Sequence, residues 1–151
     1  MANFDEGKAF RKLLMGLKVD HAAITHSIAT VAVYHVYAGR VLLTGLVGQV
    51  TVAAGAACNC TWTHVPTTGT AQPIAALLDV DPALVGDQLT ITGLATDAMT
   101  YNASAAGLRM GGLKVVLAIG DLSLTMSAVQ GATSWTLFYV PIDDGAYVLA
   151  V

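Results

Sequence analysis

The sequence predicts an all-β fold, a jelly-roll-like β-sandwich with a short N-terminal amphipathic helix or arm. Three observations predict it. The 151 residues suit a single domain. Apolar side chains recur with helical spacing only near the start of the chain, and short β-type runs separated by turn residues fill the rest. We place the arm at residues 1–22 and the sandwich at residues 23–151.

The N-terminal segment has the pattern of an amphipathic helix. Apolar side chains recur at i, i+3, i+4 and i+7 from Phe10 to Leu17, and Asn3 with Glu6 has the spacing of a capping box. We predict a helix over residues 4–17 and keep two interpretations of it open. The helix packs on its own sheet, or its apolar stripe and basic face dock on a partner. The predicted partner-binding residues are Lys8, Phe10, Arg11, Lys12, Leu13, Leu14 and Leu17.

From residue 23 onward the helical period disappears and β signals follow one another. Residues 58–65 alternate strictly, and Gly45 and Gly48 indicate bends or bulges in the strand that begins at residue 41. Residues 120–121 indicate a turn between two strands, and residues 143–145 favour a hairpin before the last strand. Eight to ten short strands at regular spacing indicate a jelly roll. The predicted strand segments are 28–37, 41–43 and beyond, 58–65, 74–80, 89–92, 113–119, 121–127, 135–140 and 147–151.

The chain is poor in charge. Charged residues make up 11% of it and hydrophobic residues 55%, whereas an ordinary soluble domain is about a quarter charged. We expect such a surface to be hidden in an assembly or a membrane. Residues 41–57, the best candidate for a membrane span, fall short of the roughly 20 apolar residues required, and the polar start lacks a signal-peptide core. We therefore expect a non-exported homo-oligomer of cyclic type, outside any membrane.

Charge is concentrated at the N-terminus. Residues 1–20 hold seven of the seventeen charged side chains, and the remainder holds three basic residues against seven acidic ones. The body therefore lacks the basic surface that nucleic-acid binding requires.

Two clusters suggest metal binding and fail on spacing or pattern. Cys58, Cys60 and His64 lie on one face of a strand, but this face spans about 20 Å, too far for one ion. Cysteines two apart are badly placed for an unstrained disulfide, so we expect buried thiols. Asp79 and Asp81, with Asp87 nearby, could bind calcium, but the EF-hand pattern is absent and turn chemistry explains them.

The sequence offers little support for catalysis. Ser27 lies beside His26, and Ser123 lies near Asp121, but no Gly-x-Ser-x-Gly motif occurs. We expect neither an enzyme nor a bound cofactor. An enzyme or small-ligand binder would need a pocket with convergent polar groups.

Two stretches resemble small structural proteins of tailed bacteriophages. Residues 39–51 (GRVLLTGLVGQVT) resemble a segment common in those proteins, and residues 135–146 (WTLFYVPIDDGA) resemble their C-terminal strand, proline-containing turn and final strand. Residues 76–79 and 91–93 are similar in style. The resemblance covers residues 39–151.

The resemblance implies a virion structural protein, specifically a capsid decoration (cement) protein. Such proteins typically form homotrimers on the capsid surface and staple neighbouring major capsid subunits, after assembly in the host cytoplasm. The N-terminal segment would then be a capsid-docking arm, and the partners would be further copies and the major capsid protein. The alternative is a tail or fibre component that binds a host receptor or glycan through exposed aromatic residues. The candidates for that surface are Trp62, Tyr101, Trp135 and Tyr147, and the role that we favour for each of them is packing in the core.

Overall fold

A computed structural model describes residues 4–103, 107–110 and 114–151, with the side chains of the N-terminal helix described from residue 7 onward. The chain forms one helix followed by two six-stranded antiparallel sheets. The predicted capping box of Asn3 and Glu6 lies outside this described part. The elements are α1 (Phe4–Met15), β1 (Leu17–Thr25), β2 (Ala29–Tyr37), β3 (Val41–Val52), β4 (Asn59–Pro66), β5 (Gln72–Pro73), β6 (Leu78–Asp79), β7 (Gln88–Thr90), β8 (Thr100–Asn102), β9 (Val115–Leu117), β10 (Gly120–Met126), β11 (Ala132–Pro141) and β12 (Tyr147–Ala150).

The strand order is that of a jelly roll. Sheet A has the order β1-β11-β3-β7-β8, with β9 also paired to β3, and sheet B has the order β12-β2-β10-β4-β5, with β6 also paired to β4. The chain passes repeatedly from one sheet to the other, as in the two Greek keys of that fold. The predicted fold class, an all-β sandwich with a short N-terminal helix, is therefore confirmed.

The predicted hairpin at 143–145 is wrong. Strands β9 and β10 lie in different sheets, and Gly120 of the predicted turn is the first residue of β10. Strands β11 and β12 also lie in different sheets. The 143–145 turn therefore carries the chain across the sandwich. Asp143 fixes this crossing, because its carboxylate accepts hydrogen bonds from the Arg40 backbone N–H, Nε and Nη2 at 2.7, 2.9 and 2.7 Å.

The core lies between the sheets. Strand β4 alternates as predicted: Cys60, Trp62 and His64 are buried on one face. In β10, Leu122, Leu124 and Met126 face inward as predicted, but Ser123 is buried too. The register of β10 against β2 shifts between Leu122 and Ser123, because β2 has an extra residue, Val33, at this point. This bulge interrupts the alternation of β2, where the consecutive residues Val33 and Tyr34 are both buried.

Strand β3 contains the irregularities that its glycines indicated. The register against β11 shifts between Phe138 and Tyr139, beside Gly45. At Gly48 the backbone approaches an aromatic ring closely: an added Cβ would lie 2.7 Å from Cζ3 of Trp135. Glycine is therefore required here by packing.

The predicted helix is two residues too long. It ends at Met15, and Gly16 has a positive φ of 88°, where an added Cβ would lie 2.1 Å from the backbone oxygen of Tyr139. Leu17 is the first residue of β1, pairs with Tyr139 and packs against the core. Leu17 is thus not part of the helical stripe, and the arm outside the sandwich is α1.

The sandwich has two ends that differ in their connections. We call the end where α1 joins β1 the arm end; it also holds the β2–β3 connection and the turn after β11. The opposite end, which we call the tip, holds the loops at 26–28, 53–58, 80–87 and 127–131. Backbone hydrogen bonds join these loops to the ends of the long strands, such as that from the Gly86 N–H to the Val50 carbonyl (2.9 Å).

Candidate functional site

Helix α1 is attached to the body at its C-terminal end. The Gly16 N–H donates to the Lys12 carbonyl (3.0 Å), and the Thr44 hydroxyl donates to the Met15 carbonyl. The principal contact of α1 with the sandwich is with β11. The direction of the helix is therefore set at Gly16 and Thr44, while the turns before them extend from the body.

The apolar stripe of α1 is not covered by the sandwich. The exposed fractions are 64% for Phe10, 80% for Leu13 and 70% for Leu14. Phe10 and Leu14, together with Gly7 and Met15, line a shallow apolar surface along the helix. Of the two interpretations of the helix, packing on its own sheet is contradicted by these exposures.

The basic residues of α1 flank this surface. Lys8, Arg11 and Lys12 are all exposed, and Lys12 lies in the last turn, where a cation interacts favourably with the helix dipole. The structure thus brings together six of the seven predicted arm residues and leaves out Leu17. An exposed apolar stripe beside basic side chains is the pattern of a helix that binds a groove on a partner.

A second surface lies on the outer face of sheet B. The rings of Tyr37 and Tyr147 stack with centroids 5.0 Å apart, and the ring of His35 lies 4.3 Å from that of Tyr37. Nδ1 of His35 donates to the Asp121 carboxylate at 2.5 Å. We call these four residues the aromatic patch; three strands distant in sequence supply them, so no local motif indicated it.

The four aromatic residues predicted for glycan recognition do not come together. Trp62 and Trp135 are buried and pack edge to face with centroids 4.8 Å apart. Tyr101 is half-buried on β8, on the other sheet from Tyr147. Of the four, Tyr147 alone contributes to the aromatic patch.

The two cysteines are buried and free. Their Sγ atoms lie 3.9 Å apart, and burial raises the pKa of the Cys60 thiol. The sequence missed their third neighbour, His26, whose Nδ1 lies 3.6 Å from Sγ of Cys58. His64 points elsewhere, with Nε2 3.1 Å from the Ala118 carbonyl. Across the described ranges, no group of three or more potential ligands is arranged to hold a metal ion.

The Asp79 carboxylate serves the local backbone. Its Oδ1 accepts hydrogen bonds from the N–H groups of Cys58 and Asp81, both at 3.0 Å. This is the turn chemistry expected for an Asp-Val-Asp-Pro sequence.

A groove of about 250 Å³ on sheet A is partly lined by threonine hydroxyls. These hydroxyls are already engaged: Thr44 donates to the Met15 carbonyl, Thr90 to the Leu46 carbonyl and Thr92 to the carboxylate of Asp97. Among the described lining residues, Lys114 is the one charged group. The groove therefore presents no acid–base pair in the part of the chain that the structure describes.

Comparison with known proteins found no family model, curated protein or solved structure that matches this chain. No described helix is long and apolar enough to cross a membrane.

Proposed function

We propose that this chain is a virion structural protein, a capsid decoration (cement) protein that oligomerises on the capsid surface and stabilises contacts between major capsid subunits. The observation that carries the proposal is the uncovered stripe of α1 on a jelly-roll body. A helix that exposes Phe10, Leu13 and Leu14 is suited to bury them against a neighbouring subunit of the particle.

The body supports the same proposal by its composition. The whole chain has 11% charged residues, and seven of its seventeen charges lie in residues 1–20. The faces of the body therefore resemble subunit interfaces, whose buried cores are depleted of charge. Each partner in a standard interface buries about 800 Å². At about 25 cal/mol per Å² of apolar surface, before association costs, contacts of this kind hold neighbouring capsid subunits together.

The test is binding to capsids that lack the protein. We expect the full chain to co-sediment with such particles and to raise the temperature at which they disrupt. A variant lacking residues 1–15, cut before Gly16 so that β1 is kept, should bind at least tenfold more weakly while its circular dichroism shows a folded β body. Undiminished occupancy by the truncated protein would contradict the role of α1, and failure of the full chain to bind would contradict the function.

The choice of control matters because removal of any exposed apolar group can reduce nonspecific adsorption. Replacing Val116, which is exposed on sheet A, by Ser removes apolar surface outside α1. We expect this matched variant to bind capsids as the natural chain does. Replacing Phe10, Leu13 and Leu14 by Ser should weaken binding as the truncation does.

The aromatic patch favours a second candidate, a tail or fibre component that binds a glycan. Sugar rings stack on exposed aromatic faces. A carboxylate accepts hydrogen bonds from sugar hydroxyls, and an imidazole N–H donates to them. A glycan array probed with the labelled protein tests this candidate. Binding lost in Tyr147→Ala but kept in Tyr101→Ala would favour it, and an array with no signal would argue against it.

A further inference from the structure

The tip carries an exposed apolar surface of its own. Val52 ends β3 there, and the loop after β6 places Leu84 and Val85 beside it, as shown by the hydrogen bond from the Val50 N–H to the Asp87 carbonyl (2.9 Å). Val129 and Ile28 project from the two neighbouring loops. All five side chains are exposed, and together we call them the tip surface.

The charges around the tip surface are opposite to those of α1. Residues 41–108 contain four aspartates and no lysine or arginine. Asp79 and Asp81 are exposed in the segment that leads to Leu84. Helix α1 presents Lys8, Arg11 and Lys12 beside its stripe. The stripe of α1 and the tip surface, which are both apolar and exposed, are therefore complementary in charge.

The two surfaces cannot meet within one chain. Met15 is bonded to Thr44, and Val52 lies eight residues further along β3, about 26 Å away at 3.3 Å per residue. From Met15 back to Phe10 the helix rises only about 7.5 Å. Any contact between the stripe and the tip surface must therefore join two molecules.

We propose that α1 of one copy docks on the tip surface of a second copy, with its basic side chains toward Asp79 and Asp81. Such a head-to-tail contact is heterologous, and it closes into a ring when the rotation between copies divides a full circle. The inference rests on the proposed function in one respect. The proposed function has α1 bind a neighbouring subunit, and the inference identifies that subunit as another copy of this chain.

Cross-linking of the free protein tests the contact without capsids. Leu14→Cys and Leu84→Cys each place a thiol on an exposed position, whereas the natural Cys58 and Cys60 are buried. We expect a short bismaleimide to cross-link the mixture of the two variants and neither variant alone. Cross-linking within the Leu14→Cys preparation would show that helices pair with each other and would overturn the proposal, as would no cross-link in the mixture.

Charge reversal gives a second, independent readout. Arg11→Glu and Asp81→Lys should each weaken self-association about tenfold in sedimentation equilibrium, because each places like charges across the contact. The double variant should recover most of the loss. Val116→Ser is the matched surface control and should associate as the natural chain does. Additive losses in the double variant would overturn the pairing.

The capsid assay separates this inference from the proposed function. Cross-links between the two variants, in a protein that does not bind capsids, would support the head-to-tail contact and contradict the decoration function. Capsid binding that depends on α1, in a protein that gives no mixed cross-link, would place α1 on the capsid subunit and overturn the head-to-tail contact alone.

Discussion

Leucine-to-alanine substitutions at two positions should separate the arm from the body. Leu13 on α1 is 80% exposed, and Leu137 on β11 is fully buried between the sheets. The same atoms are removed in both cases. Leucine and alanine are both good helix formers, so Leu13→Ala leaves the helix propensity of α1 nearly unchanged. We expect Leu137→Ala to lower the free energy of unfolding by about 2–5 kcal/mol. Leu13→Ala should change it by no more than about 0.5 kcal/mol.

Thermal denaturation measures the difference. For a domain of this length, a loss of 1 kcal/mol lowers the Tm by roughly 2–4 °C. Leu137→Ala should therefore melt roughly 4–20 °C below the natural chain, and Leu13→Ala within about 2 °C of it. Dilute protein is required, because contacts between copies stabilise the folded state more as the protein concentration rises.

The refuting result is a loss for Leu13→Ala that matches the loss for Leu137→Ala and does not change with protein concentration. It would mean that the stripe of α1 packs on its own sandwich, and the role assigned to the helix would have no basis. A loss that grows with protein concentration would instead report a contact between copies.

Three further predictions concern the body. Gly48→Ala should cost about 1–3 kcal/mol in urea denaturation, since its Cβ would meet the Trp135 ring. Hydrogen bonds from Arg40 lower the pKa of Asp143 to about 2 from its ordinary 3.8. The ionised carboxylate therefore stabilises the folded state fully above about pH 4, and this stabilisation is lost as the pH falls through 2. Asp143→Asn should flatten the acid end of the Tm–pH curve. Burial lowers the pKa of His26 below its ordinary 6.5. Stability should therefore fall as the pH drops below about 6.5, and less so in His26→Gln.

The strands and the all-β fold class were predictable from the sequence, because β-branched runs and turn residues are local signals. The strict alternation of Cys58, Cys60, Trp62 and His64 placed their side chains on the buried face correctly. The partners of the strands were not predictable, because a turn such as 143–145 has the same chemistry in a hairpin and in a crossing between sheets. The two arrangements differ in long-range pairing: β11 pairs with β3 and β12 pairs with β2. The contact between Arg40 and Asp143, which are 103 residues apart, accompanies this crossing.

The stripe of the arm could be found from its spacing, but its end could not. Leu17 continues the period of Phe10, Leu13 and Leu14, and only the positive φ at Gly16 and the pairing of Leu17 with Tyr139 remove it from the helix. The tip surface and the aromatic patch were missed for a common reason. Each is assembled from segments far apart in sequence, and their exposure depends on the tertiary fold.

Locating the protein on a phage particle tests the proposed function most directly. A cryo-EM map of the particle that carries this chain should show jelly-roll density on the outer capsid surface, bridging neighbouring major capsid subunits. A map that places the protein at the tail or a fibre and leaves the capsid surface without it would contradict the decoration function.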